Sequence, residues 1–213
     1  MAVTAPILAT GAEATIESGD FLGRSVVIKR RVPKTYRHPE LDQRLRDERT
    51  RDEANLLLKC RKAGVPVPVV YDIDRVGGAL TLEHVPGKAL RQALESDDET
   101  TAGRRMKHLG RLVGRMHDAG LTHGDLTTSN VLVPDADPDG LVLIDFGLGQ
   151  VTVEEEPRGV DLHLVEEALE ATDPRVERLM AAFLDGYGDA ACSSASIRRL
   201  DAIRQRGRYR DAT

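Results

Sequence analysis

Two short polar motifs on either side of a predicted strand pair constrain the fold of this chain more than any other feature. The first, over residues 123–130, reads His-Gly-Asp-Leu-Thr-Thr-Ser-Asn, and the second, over residues 145–147, reads Asp-Phe-Gly. Between them the apolar stretches 131–133 and 141–144 predict two short strands, joined by a turn rich in Pro, Asp and Gly. The two motifs therefore lie immediately before and after one strand pair.

The residue types in these motifs suit the transfer of a phosphoryl group. H-x-D with an Asn five residues after the Asp, followed by D-F-G, is the order of the catalytic loop and metal-binding segment of protein kinases. Mg²⁺ prefers oxygen ligands, so Asp145 and Asn130 would hold it, while Asp125 would accept a proton from an attacking hydroxyl or orient an attacking water. Either motif alone occurs by chance in loops. Together, in this order and strand context, they favour an enzyme that binds Mg·ATP and transfers or hydrolyses its γ-phosphate.

The remaining sequence predicts an α+β fold of the compact, bilobal protein-kinase type, formed by a single domain over residues 1–213. Strand and helix patterns predict a β-rich N-lobe with one helix over residues 1–84. Apolar residues at helical spacing predict a helical C-lobe over residues 85–203, and a basic tail follows over residues 204–213. The two motifs would then lie at the mouth of the cleft between the lobes.

The N-lobe prediction consists of four strands and one helix. The helix is predicted over residues 41–62, because apolar residues share one face and Gly64 ends the pattern. The strands are predicted over residues 12–17, 25–29, 69–73 and 79–83.

Lys29 and Glu53 form the predicted anchor of the ATP phosphates. Lys29 ends a β-branched strand, as does the kinase V-A-I-K lysine that contacts the α- and β-phosphates. Glu53 lies on the following helix and is the expected ion-pair partner of that lysine, although Glu48 and Asp52 are close in sequence. The alternative for Lys29 is a solvated strand end, because two arginines follow it directly.

Two backbone segments complete the predicted nucleotide site. Gly11 and Ala12 stand where kinases carry a glycine-rich loop, and small residues permit close approach of the backbone to phosphate. Glu83 and Val85 lie in a predicted hinge, where Pro86 leaves their backbone groups able to bond adenine. The sequence contains no G-x-x-x-x-G-K-[ST] motif, which excludes a P-loop nucleotide-binding protein.

The residues after Asp145 predict a truncated activation segment. Protein kinases continue from D-F-G to A-P-E, and this segment helps to bind the substrate peptide. Here no A-P-E follows, and only 16 positions separate Asp145 from Asp161, where a helical pattern begins. The sequence therefore disfavours a general protein kinase and favours a dedicated acceptor or water.

Charge and hydropathy narrow the class of protein. No apolar run approaches the roughly 18 residues that a membrane span needs. No basic segment precedes the short apolar N-terminus, and the two cysteines are far apart, so a cytoplasmic protein without membrane contact is expected. Residues 24–62 carry 13 Lys/Arg against 6 Asp/Glu, and residues 198–210 carry 6 against 1. These basic segments indicate an anionic partner or, alternatively, solvated helix faces.

Several longer segments resemble one family. Residues 28–39 read Ile-Lys-Arg-Arg-Val-Pro-Lys-Thr-Tyr-Arg-His-Pro, and residues 49–54 read Arg-Thr-Arg-Asp-Glu-Ala. They resemble the small atypical kinase of the KEOPS complex, the PRPK family. So do the motif over residues 123–130, Gly-Ala-Glu-Ala over residues 11–14, Asp-Phe-Gly-Leu-Gly over residues 145–149 and Val-Asp-Leu over residues 160–162. The resemblance covers residues 10–210.

The resemblance implies a function that composition and spacing do not show. Members of that family are autophosphorylating Ser/Thr kinases or ATPases that partner the transferase of tRNA threonylcarbamoyladenosine modification. It implies that this chain uses ATP and Mg²⁺, contacts the KEOPS transferase subunit and other complex members, and meets tRNA through the complex. The basic tail would reach toward the transferase and the tRNA. The alternatives are a free-standing RIO-like or small-molecule kinase, and a non-catalytic scaffold.

Overall fold

The structure, a computed structural model, describes residues 6–11 and 13–210, and residues 207–210 only in their backbone. Ala12, one of the predicted nucleotide-binding residues, therefore lies outside the described residues. The chain forms two compact units, Met1–Leu58 with Pro68–Val85 and Lys59–Val67 with Pro86–Thr213. They are called the first and second unit below. The lobe boundaries predicted from the sequence, and the cleft between the lobes, stay predictions.

The first unit is an antiparallel sheet with one long helix. Its strands are β1 (Ile7–Thr10), β2 (Ala14–Phe21), β3 (Arg24–Arg31), β4 (Val70–Asp74) and β5 (Ala79–Glu83), in the spatial order β1-β2-β3-β5-β4. Helix α1 (Pro39–Lys62) begins in the first unit and ends in the second. In the β2–β3 turn Leu22 and Gly23 have φ of 54° and 79°, as a tight two-residue hairpin requires.

Strand β1 is the element of this sheet that the sequence did not predict. All four of its residues are exposed, so no burial pattern marks it as a strand. Backbone pairing with β2 holds it, with Ile7 opposite Glu17 and Thr10 opposite Thr15. An edge strand of this kind is defined by its neighbour and not by its own side chains.

The second unit is mainly helical. Its helices are α2 (Leu90–Ser96), α3 (Glu99–Asp118), α4 (Glu155–Glu170), α5 (Val176–Tyr187) and α6 (Ser193–Arg210). Its strands are β6 (Gly87–Ala89), β7 (Leu121–Thr122), β8 (Val131–Pro134), β9 (Val142–Leu143) and β10 (Gln150–Val151). They form one sheet of order β6-β8-β9 and one β7–β10 pair. Among the described residues, no helix is both long and apolar enough to cross a membrane.

Helices α3 and α5 form the centre of the second unit. Each contributes a glycine where the two backbones meet: a Cβ on Gly110 would strike the carbonyl of Phe183, and one on Gly186 would strike the carbonyl of Lys107. The buried side chains of Met106, Leu109 and Phe183 surround this crossing. This core supports the loops that carry the two polar motifs.

Strands β8 and β9 connect the two motifs. They are antiparallel, with Val131 opposite Leu143, and the amide of Ile144 donates to the carbonyl of Asn130 at 2.9 Å. The last residue of the first motif therefore lies beside the residue that precedes Asp145. This is the arrangement that the strand pair in the sequence predicted.

Candidate active site

In the first unit, Lys29 and Glu53 form a buried ion pair. Lys29 Nζ donates to Glu53 Oε1 at 2.7 Å, and Glu53 is 2% exposed. The structure therefore contains the strand-to-helix pair that the sequence predicted, and it distinguishes Glu53 from its neighbours, since Asp52 is exposed and Glu48 lies within 3.9 Å of Arg44.

Arg31 is a second cation on the same carboxylate, which the sequence did not reveal. Its Nη2 donates to Glu53 Oε2 at 2.6 Å, and its side chain is almost completely buried. Side chains two residues apart on a strand point to the same face, so Lys29 and Arg31 both face α1, while Arg30 between them is exposed. Strand periodicity could have given this signal, but a run of three basic residues at a strand end also fits a solvated end.

The loop between β1 and β2 holds Gly11 at the position of the predicted phosphate loop. The Gly11 amide donates to the Ala14 carbonyl at 2.9 Å, which closes a tight turn. Glu13 in this turn accepts from Arg49 of α1 at 3.2 Å through both carboxylate oxygens, and its carbonyl accepts from the Val32 amide at 3.0 Å. The loop is therefore tied both to the end of β3 and to α1.

The predicted hinge residues Glu83 and Val85 lie at the end of the first unit. The Glu83 amide donates to the Val69 carbonyl at 2.8 Å, and its carboxylate Oε2 accepts from the Val69 amide at 3.0 Å. The N–H of Glu83 is therefore committed to this pairing, so adenine recognition at this residue would use its carbonyl. Val85 is half-buried and is the last residue of the unit.

In the second unit, Asn130 is locked against Asp125. Its Nδ2 donates to the Asp125 carbonyl at 2.8 Å and to Asp125 Oδ2 at 2.9 Å. Because the amide nitrogen is used in this way, Oδ1 is the atom that Asn130 can offer to a cation. The Asp125 carboxylate keeps a second oxygen, Oδ1, that can accept a proton or orient a hydroxyl.

Asp145 has an unusual backbone. Its φ is 63°, and it is one of only two described non-glycine residues with positive φ. Its side chain is exposed, and its Oδ1 accepts from the Gly147 amide at 3.3 Å. Non-glycine residues adopt this conformation at a cost, and such strain concentrates at functional sites. Phe146 beside it is buried and thereby holds the turn in place.

His123 supports the catalytic loop from within the core. Its Nε2 lies 3.0 Å from the Ile144 carbonyl, and its Nδ1 accepts from the Asp125 amide at 3.3 Å. A carbonyl only accepts and an amide N–H only donates, so these partners select the neutral ring with its proton on Nε2. Burial lowers the pKa of His123, in agreement with a neutral imidazole.

Asp161 anchors the same loop from α4. Its Oδ2 accepts from the His123 amide at 2.7 Å, and its Oδ1 accepts from the Gly124 amide at 2.8 Å. His117 Nε2 lies 3.1 Å from Oδ2, and its Nδ1 lies 2.9 Å from the hydroxyl of Tyr187. In the sequence, Asp161 stands at the start of a helical pattern and within residues 160–162, which resemble the family, but neither feature indicates that its carboxylate binds this loop.

The oxygen donors of the second unit fit a magnesium ion that is also held by phosphate. Among residues 6–11 and 13–210, no cluster of three or more His, Cys, Asp or Glu side chains could hold a metal ion. Asp145 and Asn130 instead provide a carboxylate and an amide oxygen. Mg²⁺ is usually bound in this way, by one or two protein oxygens together with substrate phosphates and water.

The basic tail is part of a helix. Residues 204–210 form the last turns of α6, and Arg204 makes two hydrogen bonds to Glu166 of α4, at 2.8 and 2.5 Å. Arg206 donates to Glu156 of α4 at 2.7 Å. The tail that the sequence predicts to reach toward partners is therefore helical, and two of its arginines already pair with α4 of the same chain.

Comparisons with known proteins agree with the fold. WaaP in complex with acyl carrier protein matches with a TM-score of 0.66 and 16% identity, over 96% of this chain and 88% of that chain. The Rio2 kinase–ADP/Mg²⁺–phosphoaspartate complex from Chaetomium thermophilum matches with a TM-score of 0.63 and 18% identity, over 94% of this chain and 70% of that chain. The model of the lipopolysaccharide kinase (Kdo/WaaP) family matches residues 13–187. The chain is therefore a kinase-like protein, as the sequence predicted, and its class is that of phosphotransferases and ATPases.

Curated relatives identify the family more narrowly. The chain is 42% identical to the EKC/KEOPS complex subunit Tp53rkb of Mus musculus, over 94% of this chain and 85% of the mouse protein. It is 43% identical to a probable bifunctional tRNA threonylcarbamoyladenosine biosynthesis protein of Methanothermobacter thermautotrophicus, over 96% of this chain but only 37% of that protein. The chain belongs to the kinase-like family of EKC/KEOPS complex subunits, as the sequence resemblance indicated, and it spans little more than a third of this archaeal relative.

Proposed function

We propose that this chain binds Mg·ATP and hydrolyses it or transfers its γ-phosphate as a subunit of a KEOPS-type assembly for tRNA threonylcarbamoyladenosine modification. One observation carries the chemical part of the proposal. The Asn130–Asp125 pair and Asp145 are joined by a single antiparallel strand pair, which supports a site in which Asp125 would accept a proton and Asn130 and Asp145 would each offer an oxygen to the metal.

The predicted residues divide into those that would bind ATP and those that would hold Mg²⁺ or act on the acceptor. Lys29, oriented by Glu53, would bind the α- and β-phosphates, and the backbone at Gly11 and Ala12 would approach them closely. Asn130 and Asp145 would hold Mg²⁺, which when bound neutralises the charge of the phosphates. Asp125 Oδ1 would accept the proton of the acceptor hydroxyl or orient a water, because Asn130 fixes its other oxygen. The backbone of Glu83 and Val85 would bond adenine.

The acceptor in this proposal is water or a dedicated Ser/Thr hydroxyl, including one on the chain itself. Helix α4 begins at Glu155, only ten positions after Asp145, and β10 between them pairs with β7. The Thr152 amide donates to the Gly120 carbonyl at 2.8 Å, which ties this short connection to the helical unit. Such a connection offers little surface for a general substrate peptide.

The assembly part of the proposal follows from the relatives. The mouse protein is named as an EKC/KEOPS complex subunit, and the archaeal protein as a bifunctional enzyme of tRNA threonylcarbamoyladenosine biosynthesis. We extend both to this chain: its partners are the transferase subunit and other complex members, and it meets tRNA through them, in the cytoplasm. An anionic partner at α6 would have to replace Glu166 and Glu156 at Arg204 and Arg206.

Two measurements test the proposal. ATP turnover of the purified chain is measured with Mg²⁺, first alone and then with a co-purified transferase and tRNA, for wild type and Asp145→Asn. Asp139→Asn serves as the matched control, because Asp139 is exposed in the turn between β8 and β9. ATP turnover is expected to be lost in Asp145→Asn and retained in Asp139→Asn. In the wild type, the transferase and tRNA are expected to stimulate it. If the chain instead phosphorylates free small molecules, and does so as fast without transferase and tRNA as with them, the result would favour a free-standing kinase.

A further inference from the structure

We propose that Arg31 is a positioning residue that holds Glu53 in the orientation in which it pairs with Lys29, so that the phosphate anchor is assembled before ATP binds. The inference rests on the proposed ATP turnover and deepens it, because it adds a residue to which neither the motifs nor the relatives assign a role. It concerns contacts within the first unit alone.

The geometry divides the Glu53 carboxylate between two cations. Oε1 receives Lys29 Nζ at 2.7 Å and Oε2 receives Arg31 Nη2 at 2.6 Å. Lys29, Arg31 and Glu53 are 8%, 5% and 2% exposed, so the three charges share one buried site. A carboxylate held at both oxygens from one strand cannot rotate without breaking one of two charge-assisted hydrogen bonds.

The two cations differ in what they can do besides holding Glu53. Lysine carries its charge on a flexible stem and can shift toward a phosphate, whereas the planar guanidinium of arginine holds a fixed geometry. If Lys29 alone neutralised Glu53, a movement of Lys29 toward phosphate would leave a buried carboxylate poorly compensated, which is costly. Arg31 removes this conflict, because it keeps Glu53 paired while Lys29 engages a phosphate.

Arg31 also connects the anchor to the loop that contains Gly11. Its Nη1 lies 3.9 Å from Glu13 Oε2, and its Nη2 lies 3.4 Å from the Arg49 carbonyl of α1. Glu13 is in turn held by Arg49 at 3.2 Å. One guanidinium therefore contacts helix α1 at two points and the loop at one, which links the three elements of the first unit that carry Lys29, Glu53 and Gly11.

The experiment is a double-mutant cycle on kcat/KM for ATP. Arg31→Gln removes the cation, Arg31→Lys keeps it, and Arg30→Gln is the matched control, because Arg30 is the exposed neighbour on the same strand. Loss of a charge-assisted hydrogen bond of this kind corresponds to a decrease of about 10- to 100-fold for Arg31→Gln. We expect partial recovery in Arg31→Lys and a change of less than about twofold in Arg30→Gln.

The Glu53→Gln background separates positioning from a structural role. If Arg31 acts through Glu53, adding Arg31→Gln to Glu53→Gln costs no more than about twofold, because non-additivity reports coupling. An equal, independent loss in both backgrounds would overturn the inference, as would unchanged kcat/KM in Arg31→Gln. Urea unfolding of each variant shows that the measured population is folded, and Arg31→Lys provides the test if Arg31→Gln does not fold. Normal turnover in every Arg31 variant leaves the proposed function standing, whereas no turnover in wild type and Arg30→Gln overturns both.

Discussion

Replacement of Asp161 by Asn tests whether a buried carboxylate on α4 holds the catalytic loop. The side chain is fully buried and accepts three hydrogen bonds, from the amides of His123 and Gly124 at 2.7 and 2.8 Å and from His117 Nε2 at 3.1 Å. Asn keeps the shape but replaces one acceptor oxygen with an NH₂ group. That group then faces an N–H that has no alternative partner, and the remaining oxygen is uncharged.

The magnitude follows from these contacts. One charge-assisted hydrogen bond is lost and a buried donor is left unsatisfied, which together correspond to about 3 kcal/mol of unfolding free energy. This is a large fraction of the stability of an ordinary domain, about 5–15 kcal/mol. Since both amides belong to the loop that carries Asp125, we also expect ATP turnover to fall by at least about tenfold in the folded protein.

The assay is urea unfolding followed by circular dichroism, with initial-rate ATP turnover measured on the same samples. Asp139→Asn, on an exposed residue of the second unit, provides the baseline for loss of one carboxylate and is expected to change stability by less than about 0.5 kcal/mol. The reasoning is refuted if Asp161→Asn unfolds at the same urea concentration as wild type and retains full turnover.

Three further predictions concern other contacts. Burial lowers the pKa of His123, so the unfolded chain binds a proton near pH 6.5 that the folded chain does not. The contribution of His123 to stability is therefore constant above about pH 7 and falls by up to about 1.4 kcal/mol per pH unit below about pH 6.5, and His123→Asn removes this part of the slope measured by urea unfolding. An unchanged slope in that variant would contradict the assignment. Gly110→Ala forces α3 from α5 and costs about 1–3 kcal/mol, whereas Gly103→Ala on the same helix, where a Cβ meets open space, stabilises by up to about 1 kcal/mol; equal thermal midpoints would argue against the close crossing. Arg204→Gln loses its paired contact with Glu166 and about 1 kcal/mol, an effect that 1 M salt reduces; the same loss in high salt would show that the pair is not the cause.

The local parts of the site follow from the sequence because the chain itself holds them together. Asn130 directly precedes β8, Asp145 follows its partner strand β9, and Asn130 binds Asp125 five positions earlier, so spacing and strand pattern are enough to predict this cluster. Lys29 and Glu53 are separated by 24 positions, yet the order of strand and helix limits the choice of partner to a few acidic residues.

The parts that the sequence did not predict depend on partners far along the chain or on weak patterns. Asp161 contacts the loop across 38 positions, and nothing at the loop itself indicates which carboxylate its amides require. Arg31 resembles its exposed neighbour Arg30 in sequence and differs only in the face of β3 from which it projects. The resemblance predicts that the tail reaches toward partners, whereas the acidic residues of α4 that pair with Arg204 and Arg206 are evident only in three dimensions.

Magnesium-dependent ATP turnover of Asp145→Asn, compared with wild type and Asp139→Asn, tests the central claim most directly. Asn preserves the size of the side chain and its contact with the Gly147 amide, and it removes the charge that would hold the metal. Turnover in Asp145→Asn is expected to fall by at least about 100-fold at saturating Mg²⁺, while Asp139→Asn matches wild type. Turnover in Asp145→Asn equal to that of wild type would contradict the claim that this chain performs phosphoryl chemistry at the loop cluster of Asp125, Asn130 and Asp145.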